Sequence, residues 1–353
     1  MGSELILVRR QRPEATRRGR GYRTPVSSET PDPAGREPLR VPCLRNPGRA
    51  EVRAHLESRR FLWVDYEGPS DENLRELAEL IKLHPLTLED ARTFAQRPKV
   101  EEYEGYMFIV VFGVDAETES GGPILREVHL IISGDYVVTI HHDPFPPLGE
   151  LRARYDAQQI RSEQFLIYKI LNAVIDTFVP VLSRTDDDID DLEQRVIDNP
   201  TPEQLQRIFS LKRDLVAMRR VVAPLRDMFA RNADLIAQLP GLESDDRLYF
   251  RDLYDGLIRI SELIDSYRDL LSGATDMYLS TVANRQGEIS KQLTIIATVF
   301  LPLTFLTGFF GQNFSFLVVH ILSGLWAFLV FGVGGLLLAL GGFTVYFRRK
   351  RWI

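Results

Sequence analysis

From Gln292 to Phe347 the chain carries no Asp, Glu, Lys or Arg. A helix of about 20 apolar residues crosses a bilayer, and this charge-free stretch has room for two. The first runs from about Leu293 to Phe310 and the second from about Leu325 to Phe347, with the polar break Gly311-Gln312-Asn313 between them. Lys291 borders the first span, and Arg348-Arg349-Lys350-Arg351 closes the second. Two spans joined by a short loop form a hairpin, so both basic ends lie on one side. Clustered Lys and Arg beside a span mark the cytoplasmic face. Both termini and the large N-terminal part are therefore predicted to be cytosolic, with only the loop from Gly311 to Leu325 outside. A buried helical hairpin in a soluble core accounts less well for spans of membrane length with a basic terminal flank.

Composition narrows the function classes. The net charge is −6 and the pI near 5.7, so nucleic-acid binding is not expected of the chain as a whole. Mean hydropathy is only −0.11 because a polar front dilutes the apolar tail. Cys43 is the single cysteine, which rules out an intrachain disulfide and fits a cytosolic bulk. Leu5-Ile6-Leu7-Val8 is too short for the apolar core of a secretory signal.

Residues 1–51 are rich in Arg, Pro, Gly and Ser and lack regularly spaced apolar positions. Such a segment buries too little surface to offset its ordering entropy, so it reads as a disordered basic arm. Its Arg17-Arg18-Gly19-Arg20-Gly21 run has the charge to touch anionic lipid or RNA, although a solvated tail is the simpler reading. Residues 52–160 read as a cytosolic α/β domain with a central sheet. Strands are predicted over Phe61–Tyr66, Tyr106–Val114, Arg126–Ile132 and Tyr136–His141. Helices are predicted over Asp71–Lys82, capped by Ser70 or Asp71, and over Pro85–Ala91.

Between residues 161 and 291 the strand signals vanish and apolar residues recur at helical spacing. Asn199-Pro200-Thr201-Pro202 and Leu239-Pro240-Gly241 are the breaks, which gives helices over about 162–198, 201–237 and 244 onward. Pro180 and Pro224 fall inside these patterns and are expected to kink them. The third helix meets no breaker until Pro302, already inside the first apolar span. Stalk and membrane helix should thus be one rod of over 60 residues, roughly 100 Å long at 1.5 Å per residue. Packing several copies side by side would cover its exposed apolar positions. A two-span hairpin is also too small to form a pore alone. Both points argue for a homo-oligomer with the rods at its centre.

Several ordered blocks then become recognisable. They are His84-Pro85-Leu86-Thr87-Leu88-Glu89-Asp90, Gln96-Arg97-Pro98-Lys99-Val100-Glu101 with Tyr103 and Tyr106-Met107-Phe108, and Tyr249-Phe250-Arg251-Asp252-Leu253-Tyr254-Asp255. Further on come Ser266 to Ser280, Leu293-Thr294-Ile295-Ile296-Ala297-Thr298-Val299-Phe300-Leu301-Pro302-Leu303-Thr304-Phe305, and the terminal Tyr346 to Trp352. From about residue 55 to the end the chain resembles the CorA family of divalent-metal transporters. The resemblance implies a homopentamer in which a cytosolic funnel of α/β domain and long helices leads into a pore. The first membrane helix of each copy would line the pore, and the second would form the outer ring.

The family signature at the outer pore mouth is Gly-Met-Asn; this chain has Gly311-Gln312-Asn313. A ring of neutral amide oxygens can hold hydrated Mg²⁺ through its waters without the tight binding a carboxylate ring would give. Asn313 would supply that oxygen, and Gly311 would let its own carbonyl approach. Gln312 either adds a second inward amide or sits sideways and caps the helix end. The loop Phe314 to Leu325 carries no carboxylate, whereas family members commonly have one there, so cation attraction at the mouth should be weaker. His320 is the only titratable group in that loop. It is either a ligand for a softer metal or an interface residue.

Along the first span, Leu293, Ala297, Leu301, Thr304 and Gly308 share one helical face, which by resemblance lines the pore. Leu293 and Leu301 would be its apolar constrictions and Thr304 a polar ring; the alternative is plain packing against lipid or the second helix. Gly287 stands where the family often has an Asn ring, so that polar step is lost or met by Ser290. In the family, Mg²⁺ bound between protomers by acidic residues holds the pore shut. Glu89, Asp90 and Asp252 match those residues, Asp276 is a candidate for a second ion, and Asn172 is neutral where a further carboxylate is expected.

Other signals carry less. Asp186-Asp187-Asp188-Ile189-Asp190-Asp191 reads as a solvated acidic face. His141-His142-Asp143 reads as structural, and the glycines at 332–335 and 341–342 as close-packing positions in an apolar span. No nucleophile–base pair or nucleotide loop stands out, so no enzyme is expected. The sequence thus points to a plasma-membrane divalent-cation channel for Mg²⁺, with Co²⁺ as a further substrate, gated by cytosolic Mg²⁺. A transporter for Zn²⁺ or another transition metal on the same scaffold, or a non-conducting metal sensor, are the alternatives.

Overall fold

The computed structural model describes residues 39–115, 122–237, 247–310, 319–320 and 324–350. It divides into two compact units. One holds the chain through Phe178 together with Val221–Ile260; the other holds Val179–Arg220 and everything from Ser261 onward.

The first unit is built on a six-stranded mixed sheet in the order β1-β2-β6-β5-β4-β3. β1 (Cys43–Arg45), β2 (Leu62–Glu67) and β6 (Tyr136–His141) run parallel. β5 (Ile124–Ile132), β4 (Tyr106–Asp115) and β3 (Lys99–Tyr103) continue it antiparallel. β4 and β6 read as near-continuous apolar runs because both are buried through almost their whole length. Helices α1 (Arg49–Glu57), α2 (Asp71–Ile81), α3 (Pro85–Thr93) and α4 (Pro146–Ala157) surround the sheet strands in sequence. Ser70, rather than Asp71, caps α2: its hydroxyl accepts from the Asn73 amide, and Asn73 returns the bond to the Ser70 backbone.

The boundary expected at residue 51 falls inside α1, and Cys43–Arg45 pairs with Trp63–Asp65. The α/β unit thus begins earlier than composition suggested, because β1 completes the sheet edge through backbone pairing that composition does not reveal. Residues 1–38 lie outside the described residues.

Helix α5 (Glu163–Ile175) is the core helix of this unit. Ser162 caps it, and nearly every residue from Gln164 to Leu171 is buried, whatever its face. It meets β4 at Gly113, where an added Cβ would lie 2.7 Å from the Phe145 ring and 2.9 Å from the Val174 carbonyl. Only glycine permits that approach. Gly113→Ala is expected to lower unfolding free energy by about 1–3 kcal/mol, in the range of core overpacking; unchanged denaturant stability would contradict this.

One long helix over 162–198 is not what forms. It breaks after Ile175, and α6 (Phe178–Asp198) starts afresh. Pro180 is the cause rather than a mere kink, since it has no amide to give the Asp176 carbonyl and its ring crowds that oxygen. Thr177 fills the break: its hydroxyl donates to the Val174 carbonyl at 2.6 Å and accepts from the Val114 amide at 2.8 Å.

A polar cluster is sealed inside the first unit. Asp65, 1% exposed, accepts from Thr139 at 2.7 Å, meets His141 Nε2 at 3.2 Å and pairs with Arg152. Trp63 Nε1 donates to Thr139 at 3.0 Å. Burial opposes the Asp65 charge, but the His141 and Thr139 bonds and the Arg152 charge outweigh it, and the carboxyl sits below its usual range. Burial likewise opposes charge on His141, and Asp65 outweighs it, so His141 holds its proton above its ordinary range. The reading of His141 as structural agrees with this geometry.

The signs of these shifts give a pH dependence. The His141 contribution is fully present below about pH 6.5 and is lost as pH rises through its raised folded value. The Asp65 contribution is present above about pH 3.9 and is lost as pH falls through its lowered folded value. The melting temperature of the wild type should therefore fall between pH 6 and 9 by more than that of Asp65→Asn. The variant should also be less stable by about 3 kcal/mol, since it leaves the buried His141 and the part-buried Arg152 without their counter-charge. Parallel pH profiles would contradict the assignment.

In the second unit, α6 and the start of α7 (Pro202–Ala237) form an antiparallel pair around Asn199–Thr201. Thr201 and Asn199 exchange hydrogen bonds with Gln204, and Arg207 pairs with Asp188 at 2.5 Å. Ile189, Leu192, Val196, Ile208, Leu211 and Leu215 are buried in this unit, as are Ile264 and Leu271 of α8. α8 (Arg247–Phe310) is a single 64-residue helix of about 96 Å, which matches the expected rod. Arg285 ties it to the α6–α7 turn through Asn199 Oδ1 at 2.6 Å and the Asp198 carbonyl at 3.1 Å. The expected second span is helical throughout its described length but not uniformly α. After α9 (Leu325–Ala327), Phe328–Gly334 winds as a π-helix before α10 (Gly335–Arg349). Gly332, Gly334 and Gly335 give that stretch the backbone freedom to widen.

Candidate ion pathway and regulatory carboxylates

Among the described residues, two stretches have an unbroken length and apolarity sufficient to cross a membrane, Glu163–Asp198 and Arg247–Phe309, the second expected span being divided among α9, the π-helical stretch and α10. Burial separates them: 61% of the apolar window in the first is buried in protein, and none of the window in the second. The first is a core stretch, and the second is the one left for lipid or for other copies of the chain.

The residues expected to line a pore all lie on α8 and are all exposed in the single chain: Leu293, Ala297, Leu301, Thr304 and Gly308. At about 100° per residue they fall within an arc of about 80°. Gly287 lies about 40° beyond its edge. The same side of the helix continues below the membrane stretch. Leu279, Val282 and Ile289 are exposed apolar residues that extend the arc to about 120°. Leu293 is 67% exposed and Leu301 72%, and with the exposed Ile296, Phe300 and Phe305 they form a contiguous apolar patch of the kind that marks a membrane or protein contact. Thr304 donates its hydroxyl proton to the Phe300 carbonyl at 2.8 Å, so its lone pairs remain free to accept. Gly311, Gln312 and Asn313 lie outside the described residues.

The four expected metal carboxylates are dispersed. α3 begins at Pro85, with His84 Nδ1 accepting from the Leu86 amide, and it carries Glu89 and Asp90. Glu89 is exposed. Asp90 is engaged by Lys99 at 2.6 Å, and Lys99 also reaches Glu101 at 2.9 Å. Burial works against the Lys99 charge, but its bonds to Asp90 and Glu101 outweigh it and raise its pKa. Asp252 is exposed near the start of α8 and accepts from Tyr168 at 2.9 Å. Asp276 is exposed on α8 in the second unit. Among the described residues no group of three His, Cys, Asp or Glu is close enough to hold a metal ion.

Sequence reasoning missed three residues here. Lys99 sits inside a quoted block, but its pairing with Asp90 depends on how β3 meets α3. Tyr168 lies 84 positions from Asp252, and no local pattern connects them. Asp176 lies one helical turn beyond Asn172, whose amide donates to it at 2.5 Å. Desolvation, and then the Asp252 charge in the same direction, hold the Asp176 carboxyl above its usual range. The i, i+4 spacing of Asn172 and Asp176 was the available signal.

Comparison with known proteins decides the family. The model of the CorA-like Mg²⁺ transporter protein family matches residues 58–349. The chain belongs to that family. It is a family of membrane transporters, not of enzymes. Within it, the CorA-like chain is 37% identical over 304 residues to the cobalt/magnesium transport protein CorA of Thermotoga maritima, covering 82% of this chain and 83% of that one. It is 32% identical over 299 residues to the putative metal ion transporter YfjQ of Bacillus subtilis, covering 83% and 90%. The complete structure of the CorA magnesium transporter from Methanocaldococcus jannaschii superposes with a TM-score of 0.68 at 25% identity, covering 82% of this chain and 91% of that one. The expected CorA-like fold, an α/β domain with a mixed sheet followed by long helices, agrees with that likeness.

Proposed function

We propose that this chain forms a homopentameric divalent-cation channel of the plasma membrane that admits Mg²⁺, and Co²⁺ as a further substrate, to the cytosol. Both termini are cytosolic, and the hairpin loop faces outside. The exposed apolar stripe along α8 carries this reading. It runs from Leu279 to Gly308 on one side of the helix, and in the membrane half Ile296, Phe305 and Phe309 are exposed on other sides. A ring of copies can therefore bury the cytosolic half of the stripe while its membrane half encloses a path and the other sides meet lipid or the second helix. Leu293 and Leu301 then form apolar constrictions that close by dewetting. Thr304 offers a ring of hydroxyl oxygens, and Asn313 a ring of amide oxygens at the mouth. Gln312 is the second amide of that mouth or its lateral cap.

The ligand chemistry favours a hard ion. That side of α8 presents aliphatic and aromatic groups, the Gln286 amide and the Ser290 and Thr304 hydroxyls, and no imidazole, thiolate or carboxylate, which suits a hydrated Mg²⁺ better than Zn²⁺. The names of similar proteins agree: those of Thermotoga maritima and Methanocaldococcus jannaschii are cobalt/magnesium transport proteins. A zinc transport protein ZntB of Yersinia enterocolitica is also similar, at 26% identity over 219 residues, and it keeps Zn²⁺ as the second reading. Uptake by purified protein in liposomes, with the two ions in competition, separates them. Mg²⁺ entry should persist at equimolar Zn²⁺. Accumulation of Zn²⁺ with loss of Mg²⁺ entry would favour the second reading.

The regulatory carboxylates support control by cytosolic Mg²⁺. Lys99 already neutralises Asp90 within the chain, which leaves Glu89 and Asp252 as the open carboxylates. With no complete cluster among the described residues of one protomer, an ion held by them would bridge copies. Asp276 would serve a second ion further along α8, nearer the membrane stretch.

A further inference from the structure

We propose that Tyr168 is a positioning residue of the regulatory cation site, its hydroxyl fixing the Asp252 carboxylate in the orientation that receives the ion. The inference rests on reading Asp252 as a sensor carboxylate and adds to it the group that orients this residue.

Asp252 is a surface side chain whose rotamers would otherwise be free. Tyr168 is its opposite: it lies in the core helix α5 and is 2% exposed. Tyr249 stacks on its ring at 4.9 Å between centroids and 22° between planes. Lys169 Nζ stands 5.1 Å from the ring centroid, and Phe165 packs at 6.0 Å. A ring held in this way places its hydroxyl at one fixed point, and that hydroxyl donates to Asp252 Oδ2 at 2.9 Å. One carboxylate oxygen is thus committed to a rigid donor, and Oδ1 is left to face an ion or its waters. A carboxylate held in its binding rotamer loses less conformational freedom when the ion arrives. Tyr168 carries no charge and touches no ion; it acts through Asp252 alone.

The test uses the full-length protein in detergent and follows protection from limited proteolysis as Mg²⁺ is titrated. The variants are Tyr168→Phe, Asp252→Asn and the two combined. Tyr168→Phe keeps the ring and its stacking and removes only the donor. Its Mg²⁺ midpoint should rise by about three- to tenfold, the range expected for one lost hydrogen bond, with full protection restored at saturating Mg²⁺. In the Asp252→Asn background the same change should leave the midpoint where Asp252→Asn alone put it. Three outcomes overturn the positioning role. The first is a Tyr168→Phe midpoint equal to or below that of the wild type. The second is equal midpoint shifts in both backgrounds. The third is protection lost at every Mg²⁺ concentration, which would make Tyr168 purely structural. A wild type whose protection ignores Mg²⁺ would instead remove the sensor reading itself, and the positioning role with it.

Discussion

Asn313→Ala is expected to abolish cation uptake while leaving the assembled protein intact. The proposed mouth holds a hydrated ion through amide oxygens, one per copy, and no nearby carboxylate can substitute, because the stretch Phe314–Leu325 has none. An amide-to-water hydrogen bond contributes about 1 kcal/mol, and each 1.4 kcal/mol is a factor of ten in occupancy. Losing even two such bonds at once lowers ion occupancy by more than tenfold, and a symmetric ring loses all of them together. The sequence reading puts this residue in the hairpin loop, so the fold and oligomer should survive, as size-exclusion chromatography would check. Gln312→Met should be tolerated if Gln312 lies sideways, and should cut uptake if its amide faces the ion. Normal flux in Asn313→Ala would exclude the pore-mouth role.

Asp252→Asn is expected to uncouple the channel from cytosolic Mg²⁺. If Glu89 and Asp252 of neighbouring copies face each other, an ion between them cancels like-charge repulsion, and its removal favours separation. The Asn variant has less repulsion and a weaker site. It should stay active at internal Mg²⁺ levels that close the wild type, and Mg²⁺ should protect its long helix from protease less well. Lys99 makes Asp90 the less influential partner, since its charge is already balanced within the chain. Asp90→Asn should therefore shift the Mg²⁺ dependence less than Asp252→Asn. Mg²⁺-independent protection of the wild type would mean that the pore is controlled in another way.

The parts of this molecule that were legible in the sequence are those with a single dominant physical cause. The long α8 rod followed from the absence of any breaker between residue 247 and Pro302, and strands such as Tyr106–Asp115 from uninterrupted apolar runs. Helical spacing put Leu293, Ala297, Leu301, Thr304 and Gly308 on one face of α8, and the assignment of that face to a pore came from the family resemblance. Features that depend on long-range contact were not legible. β1 gains its place only by pairing with β2, from a segment whose composition resembles a tail. The break at Asp176–Thr177 needed Thr177 to reach β4, and a sequence pattern shows the proline but not that partner. For the proposed regulatory site, the family blocks suggested Glu89, Asp90 and Asp252. The groups that modify them, Lys99 and Tyr168, come from other elements and carry no local signal.

The central claim is that this chain conducts divalent cations through a path lined by α8. Mg²⁺ entry into liposomes bearing the purified full-length protein, driven by an inside-negative potential with no pH gradient and reported by a trapped Mg²⁺ indicator, tests it most directly. The account predicts entry that rises with the potential, needs no proton counterflow, and disappears with Asn313→Ala. Entry no faster than in protein-free liposomes, or entry that requires a proton gradient, would contradict it.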